Sequence, residues 1–262
     1  MNQMRSRWSV ALALILAVLV GLAVLGVTPD LEGTWAMLQV YPRTVLLPLV
    51  GESSQTSYVV QLVDVEQDNE SLVMIDRYCF TFVEDSSSLA TTTIPDAFMR
   101  SLRPHAREAT LHHQGGEITF EQVPYLEVRG VILENPETDS LPTDPDDPRV
   151  FDQDEDGLPG MTVHVNILGL IEAQIYVVQR VQYELQGAVI STNRVEGLIR
   201  WTDEQVVLAA TSPLLMADSD SAPDPDPTKH IFAMLRAQED WTCDWLREHW
   251  RVLFGLDVIG QD

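Results

Sequence analysis

Residues 58–83 read YVVQLVDVEQDNESLVMIDRYCFTFV, and this stretch decides the fold class. Residues 58–65 and 72–83 are rich in β-branched and aromatic side chains, which favour β-strands. The polar segment between them, residues 67–70, has the composition of a turn. The two runs therefore predict a long antiparallel hairpin. Alternation along its second strand predicts that one face carries Met74, Tyr78, Phe80 and Phe82.

The same strand pattern recurs along most of the remaining chain. Further apolar or alternating runs lie at residues 34–40, 44–50, 109–113, 117–120, 125–133, 161–168, 171–190, 195–201 and 205–210. Gly115 and Gly116 supply the positive φ angles of a tight hairpin turn. Because brief turns join the runs, they predict an antiparallel sheet rather than βαβ units.

The end of the chain differs from this pattern. Residues 243–254 have the apolar spacing of an amphipathic helix, with Thr242 as its N-cap and Gly255 after it. Residues 230–237 fit either a last strand or a helix, and we favour the strand. The predicted fold is all-β, with residues 28–262 as one antiparallel barrel or sandwich of about 9 to 11 strands and one C-terminal helix.

Two acidic, proline-rich segments interrupt the strands. Residues 134–157 contain ten acidic residues, four prolines and one basic residue, and residues 212–228 are similar in composition. Such segments cannot form part of a core, so both are predicted to be surface loops.

The first 27 residues predict export. Arg5 and Arg7 precede an uncharged apolar run at residues 10–27, which is the layout of a secretion signal. The run is also long enough to span a bilayer, so cleavage and membrane anchoring both remain open. The expected location is outside the cytoplasm: secreted, periplasmic or at the cell surface.

Charge and cysteines limit the class further. The formal net charge of −24 argues against binding to nucleic acid or to anionic lipid, so any membrane contact is expected only through the N-terminal segment. Cys79 and Cys243 are the only cysteines. In an oxidising compartment they predict one disulfide, although two separate buried thiols are the alternative. A disulfide closing so long a loop contributes about 4 to 5 kcal/mol in the chain-entropy model.

A candidate metal site lies in the first acidic segment. Asp152, Asp154 and Asp156 alternate ahead of Gly157, and Leu158 can offer its carbonyl, which suits a hard cation such as Ca²⁺. This loop resembles those of EF-hand, dockerin and FG-GAP-type proteins over about nine residues. The resemblance implies weak Ca²⁺ binding, because Val163 stands where an EF-hand has its bidentate glutamate. The alternative is a solvated acidic loop that binds no specific ion.

A second resemblance concerns the first strand. Gly33-Thr34-Trp35 is similar to the Gly-x-Trp start of lipocalins. The resemblance implies a barrel in which Trp35 closes one end beside an arginine from a late strand, for which Arg200 is the candidate. It also implies a disulfide from a mid-barrel strand to the segment after the barrel, as Cys79 with Cys243 would form.

No motif for catalysis accompanies this fold. The sequence has no Gly-x-Ser-x-Gly elbow, no phosphate-binding glycine loop and no His-Glu-x-x-His helix. We therefore predict an exported, non-enzymatic β-barrel binding protein that holds an apolar small molecule, stabilised by the disulfide and by Ca²⁺. One alternative is a calcium-stabilised module with a packed interior that binds a protein partner through its surface. A carboxylate-dependent hydrolase is the third hypothesis, with no catalytic residues assigned.

Overall fold

The chain forms one continuous antiparallel sheet within the residues that the computed structural model describes, which are 28–87, 89–216 and 221–256. In chain order the described strands are β1 (Gly33–Leu47), β2 (Gly51–Asp68), β3 (Ser71–Asp85), β4 (Ala90–Thr93), β5 (His105–Gln114), β6 (Glu117–Arg129), β7 (Met161–Ile167), β8 (Ile171–Ser191), β9 (Arg194–Ala210), β10 (Ser221–Pro223) and β11 (Ile231–Arg236). The helices are α1 (Asp96–Ser101) and α2 (Cys243–Leu253). The predicted all-β antiparallel fold with a C-terminal helix is confirmed.

Eight strands close into a ring of pairings. Their order is β8-β6-β5-β3-β2-β1-β11-β9, and β9 pairs again with β8. Two short strands lengthen the wall beyond β8, because β7 pairs with the first part of β8 and β4 pairs with β7. Strand β10 pairs with the far end of β1. The ring thus has one end extended by β4, β7, β10 and the long β1–β2 hairpin.

The hairpin at residues 58–83 is present, but one face assignment is wrong. The register between β2 and β3 shifts so that Gln61 faces Tyr78 while Val60 faces Phe80, which leaves Cys79 as an extra residue. This β-bulge reverses the alternation. As a result Tyr78 packs inside the ring, whereas Phe80 packs outside it under α2.

Helix α2 covers the outer face of β1, β2 and β3. The Thr242 side chain accepts a hydrogen bond from the Trp245 amide, which caps the helix as predicted. Leu246 and Trp250 are buried against this face of the sheet. The predicted disulfide joins Cys79 of β3 to Cys243, the first residue of α2, and fixes the helix to the sheet.

Several predicted segments can be compared with the structure. Residues 231–236 form a strand, as we favoured. Residues 134–157 follow an irregular path, but the prediction that they contribute nothing to a core is wrong: Leu141 is buried against Val178 and Leu208. Residues 212–228 are not structureless throughout, since β10 lies within them; residues 217–220 fall outside the described chain. The predicted signal or anchor segment, residues 1–27, also falls outside it. In the described part of the chain, no helix is long and apolar enough to span a membrane.

The role predicted for Arg200 is wrong. Arg200 alternates with the buried Ile199 and Trp201, so it points outward and pairs with Glu184 at 2.7 Å. The guanidinium that lies over the Trp35 ring, 4.7 Å from its centroid, belongs to Arg236. Arg236 reaches this position because β11 pairs with β1 directly opposite Trp35.

Candidate functional site

A cavity of about 590 Å³ lies inside the extended end of the ring. Small-molecule sites usually occupy about 300–1,000 Å³. Most of the wall is apolar, and its principal apolar residues are Val59, Phe98, Met99, Val163, Val165 and Ile175. A core cluster that includes Trp35, Met37 and Phe232 fills the other end of the ring, which we call the filled end.

Alternation along β7 explains why this wall is apolar. Met161, Val163 and Val165 point into the cavity, while Thr162 between them faces the loop on the outside. Helix α1 closes the adjoining side with two buried side chains, Phe98 and Met99. Helix α1 thus forms part of the cavity wall.

The cavity reaches the surface at an apolar rim. Leu46, Leu49 and Leu214 line it, and their exposed fractions are 50%, 69% and 50%. Leu49 lies at the tip of the β1–β2 hairpin with a φ of 67°, a conformation that costs energy for a leucine. These side chains form an apolar entrance to the cavity.

Polar side chains separate the cavity from the filled end of the ring. We call this set the polar layer; its members are Arg43, Asp76, Tyr78, Arg107, Gln122, Glu127, Arg129, Gln179 and Asp203. Arg43, Tyr78, Arg129 and Gln179 line the cavity. Arg107 lies deeper, with Nη2 3.8 Å from the sulfur of Met37, which belongs to the filled end. The layer therefore forms the floor of the cavity.

The deepest pair in the polar layer is Asp76 with Arg107, and both side chains are fully buried. Arg107 donates from Nε to one carboxylate oxygen at 2.6 Å and from Nη2 to the other at 2.7 Å. Its Nη1 donates to Gln122 Oε1. Burial alone would raise the pKa of Asp76, but the charge and hydrogen bonds of Arg107, together with the His105 ring 3.2 Å away, outweigh it and lower that pKa. Asp76 is therefore ionised in the folded protein.

A second bidentate pair joins Glu127 to Arg129. The distances are 2.9 Å from Nε and 3.2 Å from Nη2, and the Tyr78 hydroxyl donates to Glu127 Oε2 at 2.9 Å. Burial would raise the pKa of Glu127, yet the charge and hydrogen bonds of Arg129, together with the Tyr78 bond, lower it. Both carboxylate oxygens of Glu127 therefore accept hydrogen bonds from Arg129, and one of them also accepts from Tyr78.

A third pair lies on the cavity side of the floor. Arg129 Nη1 donates to Gln179 Oε1 at 3.0 Å, and Gln179 Nε2 donates to Asp203 Oδ2 at 3.3 Å. Arg43 Nη2 donates to the same Asp203 oxygen at 3.0 Å. The Arg43 guanidinium also lies 5.0 Å from the centroid of the Trp201 ring. Three arginines and three carboxylates thus balance one another within the layer.

The polar layer is not evident from the sequence, although one residue points to it. Asp76 shares the face of Met74 and Tyr78 in a strand of apolar neighbours. A charge on the inward face of a strand requires a buried partner of opposite sign. Which residue supplies that partner follows only from the pairing of β3 with β5, which sets Arg107 opposite Met74, two residues from Asp76.

The acidic loop brings its three predicted carboxylates together. Carboxylate oxygens of Asp152, Asp154 and Asp156 all lie within 4.8 Å of one another. Asp152 accepts hydrogen bonds from the amides of Asp156 at 3.1 Å and Gly157 at 2.7 Å. The main chain of Leu158 contacts the cluster through its amide, which donates to Asp156 Oδ1 at 2.9 Å.

Asp154 is the buried member of this cluster. Its exposed fraction is 7%, and Oδ2 accepts a hydrogen bond from the Thr162 amide at 3.1 Å. Its Oδ1 is buried without a hydrogen-bond partner among the residues that the structure describes. Burial, then the neighbouring carboxylates of Asp156 and Asp152, raise the pKa of Asp154. An orphaned carboxylate oxygen beside two further carboxylates is a donor set that fits a divalent oxygen-seeking cation.

The acidic loop is attached to the cavity wall at two points. Thr162 binds Asp154 and Asp156 and is flanked by the cavity-lining residues Met161 and Val163. Gln153 Nε2 donates to the Ser101 hydroxyl of α1 at 3.2 Å. The conformation of the loop and the position of β7 and α1 are therefore linked by direct contacts.

Comparison of the chain with protein-family models, with curated proteins and with solved structures finds no match.

Proposed function

We propose that this protein is an exported, non-enzymatic binding protein that holds an apolar small molecule inside the ring. The observation that carries the proposal is the interior cavity of about 590 Å³, with its apolar wall and apolar entrance. A packed interior, as in the surface-interaction alternative, would leave no space of this size, because protein cores contain few voids larger than a water molecule.

The ionisable groups near the cavity favour binding over hydrolysis. A general base needs a carboxylate that is free to accept a proton from substrate or water. Glu127 and Asp203 instead accept hydrogen bonds from Arg129 and Arg43, and neither lines the cavity. The polar layer therefore serves to close the cavity and to orient the end of a ligand.

Calcium has a structural role in this proposal. Asp152, Asp154 and Asp156 would supply carboxylate oxygens and Leu158 its carbonyl. A cation there would offset the repulsion among the three carboxylates and give Asp154 Oδ1 a partner. Because Thr162 joins the loop to β7, ordering the loop would also fix one wall of the cavity.

Export is supported by the disulfide between Cys79 and Cys243, since such bonds persist in oxidising compartments. The apolar run at residues 10–27 would provide the signal or the anchor. The net charge of −24 keeps such a protein soluble and apart from anionic surfaces.

Native mass spectrometry of the protein purified from its own host tests the proposal. We expect an added mass that organic extraction removes. The variant Val163→Trp places a large side chain in the cavity and should reduce the bound fraction, because each excluded methylene costs about 0.8 kcal/mol. Val123→Trp is the matched control, since Val123 is half exposed and does not line the cavity. Equal ligand occupancy in both variants would contradict binding in the cavity.

A further inference from the structure

The end of the ring at which the cavity opens carries exposed apolar side chains on three separate segments. These segments are the tip of the β1–β2 hairpin, the turn between β7 and β8, and the residues just after β9. We call the set the apolar collar; each member is at least 42% exposed, and the members are Leu46, Leu49, Leu168, Leu170, Leu214 and Met216. Leu46, Leu49 and Leu214 line the cavity itself. The Thr211 amide donates to the Gln174 carbonyl at 2.9 Å, which joins the segment after β9 to the start of β8 and so to the β7–β8 turn.

The collar segments carry no charge, although 21% of the chain is charged. Residues 44–51, 165–171 and 205–216 contain no acidic or basic side chain and no histidine. The hairpin turns at the filled end differ, because their tips are polar or glycine: Asn69-Glu70, Gly115-Gly116 and Thr192-Asn193. The net charge of −24 therefore lies outside the collar segments.

Two collar leucines occupy a backbone conformation that leucine normally avoids. The φ angles of Leu49 and Leu168 are 67° and 59°, in the left-handed region that glycine or asparagine adopts at lower cost. At the filled end the residue in this conformation is Asn69, with a φ of 55°. Both leucine side chains are exposed, so packing within the protein does not offset the cost. Strain of this kind points to a function, and a partner that buries the two side chains would offset it.

Charge determines which partner fits the collar. A second copy would bring together two molecules of net charge −24, and such self-repulsion keeps proteins monomeric. A basic protein would be attracted to the acidic segments instead of to the uncharged end. Glu52 and Glu172, which are exposed next to the collar segments, would repel an anionic lipid surface. A bilayer of zwitterionic lipid has no net charge, and it can bury apolar side chains from separate turns without a complementary surface.

We propose that the apolar collar docks onto a bilayer of zwitterionic lipid and that the mouth of the cavity opens against it. An apolar ligand would then pass between bilayer and cavity without crossing water. The passage of ligand rests on the proposed function, whereas the docking rests on the exposed side chains alone. This contact is additional to the one expected from residues 10–27, because the net charge opposes anionic lipid but not a zwitterionic surface.

A fluorescent label at either end of β8 tests the docking. The full chain carries a nitrobenzoxadiazole label, whose emission rises when it leaves water for a bilayer, through Leu170→Cys at the collar or Ile190→Cys at the filled end. The native side chains are 83% and 57% exposed, and neither lines the cavity. With phosphatidylcholine vesicles we expect a several-fold rise in emission at position 170 and none at position 190. Adding phosphatidylglycerol to the vesicles should lessen the rise, since both surfaces are then negative.

A second substitution in the Leu170→Cys chain measures the contribution of one leucine. Leu49→Asn suits the left-handed backbone, so it should not lower the melting temperature. Because it removes an apolar side chain from the contact, it should shift the docking equilibrium about tenfold toward the free protein, read as a loss of emission. Ile190→Ser in the same chain is the matched control and should leave the emission unchanged.

Other results overturn defined parts of the proposal. No rise at position 170, an equal rise at both positions, or a rise that Leu49→Asn leaves intact would overturn the docking; the proposed function would stand if the neutral dye N-phenyl-1-naphthylamine still binds in the cavity. A rise that requires phosphatidylglycerol would overturn it in favour of electrostatic binding. A label at position 170 that is bright without vesicles and dims on dilution would overturn it in favour of a second copy. Docking without saturable dye binding would support the collar and remove the proposed function.

Discussion

The buried pair of Asp76 and Arg107 offers the sharpest test of how the ring is held together. In Asp76→Asn the side chain keeps its shape, but Arg107 becomes an unpaired charge with no exposed surface. Removing one partner of a buried ion pair costs about 3 to 5 kcal/mol. For a chain of this size that loss lowers the melting temperature by about 10 °C. Thermal and urea unfolding, followed by circular dichroism, measure it.

A matched control separates burial from charge. Asp64 pairs with Arg77 at 3.7 Å, and both side chains are about half exposed. Asp64→Asn should cost less than about 1 kcal/mol, as exposed pairs do. The double variant Asp76→Leu, Arg107→Met removes both buried charges and should recover most of the loss. A loss in Asp76→Asn as small as that in the control would refute the assignment of a buried, essential pair.

Three further predictions concern the disulfide, Ca²⁺ binding and stability at low pH. Cys79→Ser should lower the unfolding free energy by about 5 kcal/mol, because the disulfide spans 164 residues. Thiol titration of the unreduced, denatured wild type should find no free thiol, and two titratable thiols would contradict the disulfide. If Ca²⁺ binds with a Kd of about 1 mM, ten times that concentration should add about 1.4 kcal/mol to the free energy of unfolding. Mg²⁺ should add less, and Asp154→Ala should abolish the gain. An equal gain from NaCl of matched ionic strength would indicate charge screening alone. The pKa values of Asp76 and Glu127 are lowered in the folded protein, so their ionised forms contribute stability that is complete above the ordinary values of 3.8 and 4.5. This stability is lost as the pH falls through the lower folded-state values, so urea midpoints should fall below about pH 4. Midpoints that stay constant to pH 2 would argue against these pairs.

Local patterns in the sequence were enough to predict most of the strands, the C-terminal helix and the disulfide. Alternating apolar residues and β-branched side chains report which faces are buried, whatever the strand order. The bulge at Cys79 was not predictable in this way, because one inserted residue leaves the composition of the strand unchanged. It nevertheless decides that Tyr78 enters the interior while Phe80 lies under α2.

The candidate site was predictable only in part. Asp152, Asp154 and Asp156 are neighbours along the chain, so their convergence follows from loop geometry. The partners in the polar layer come from different strands, and the closure of the ring sets which of them meet. The cavity could not be predicted from the sequence either, since residues that line a space and residues that fill a core have the same apolar alternation. Arg236 rather than Arg200 covers Trp35 for the same reason: strand pairing, not the local motif, decides it.

The most direct test of the central claim is an equilibrium titration of the protein with the neutral dye N-phenyl-1-naphthylamine. The cavity predicts saturable binding of one dye per chain in the wild type and in Val123→Trp. If Val163→Trp excludes two methylene equivalents from the cavity, its affinity should be about 15-fold weaker. Dye binding that does not saturate, or that is equally strong in Val163→Trp, would contradict a binding site inside the ring.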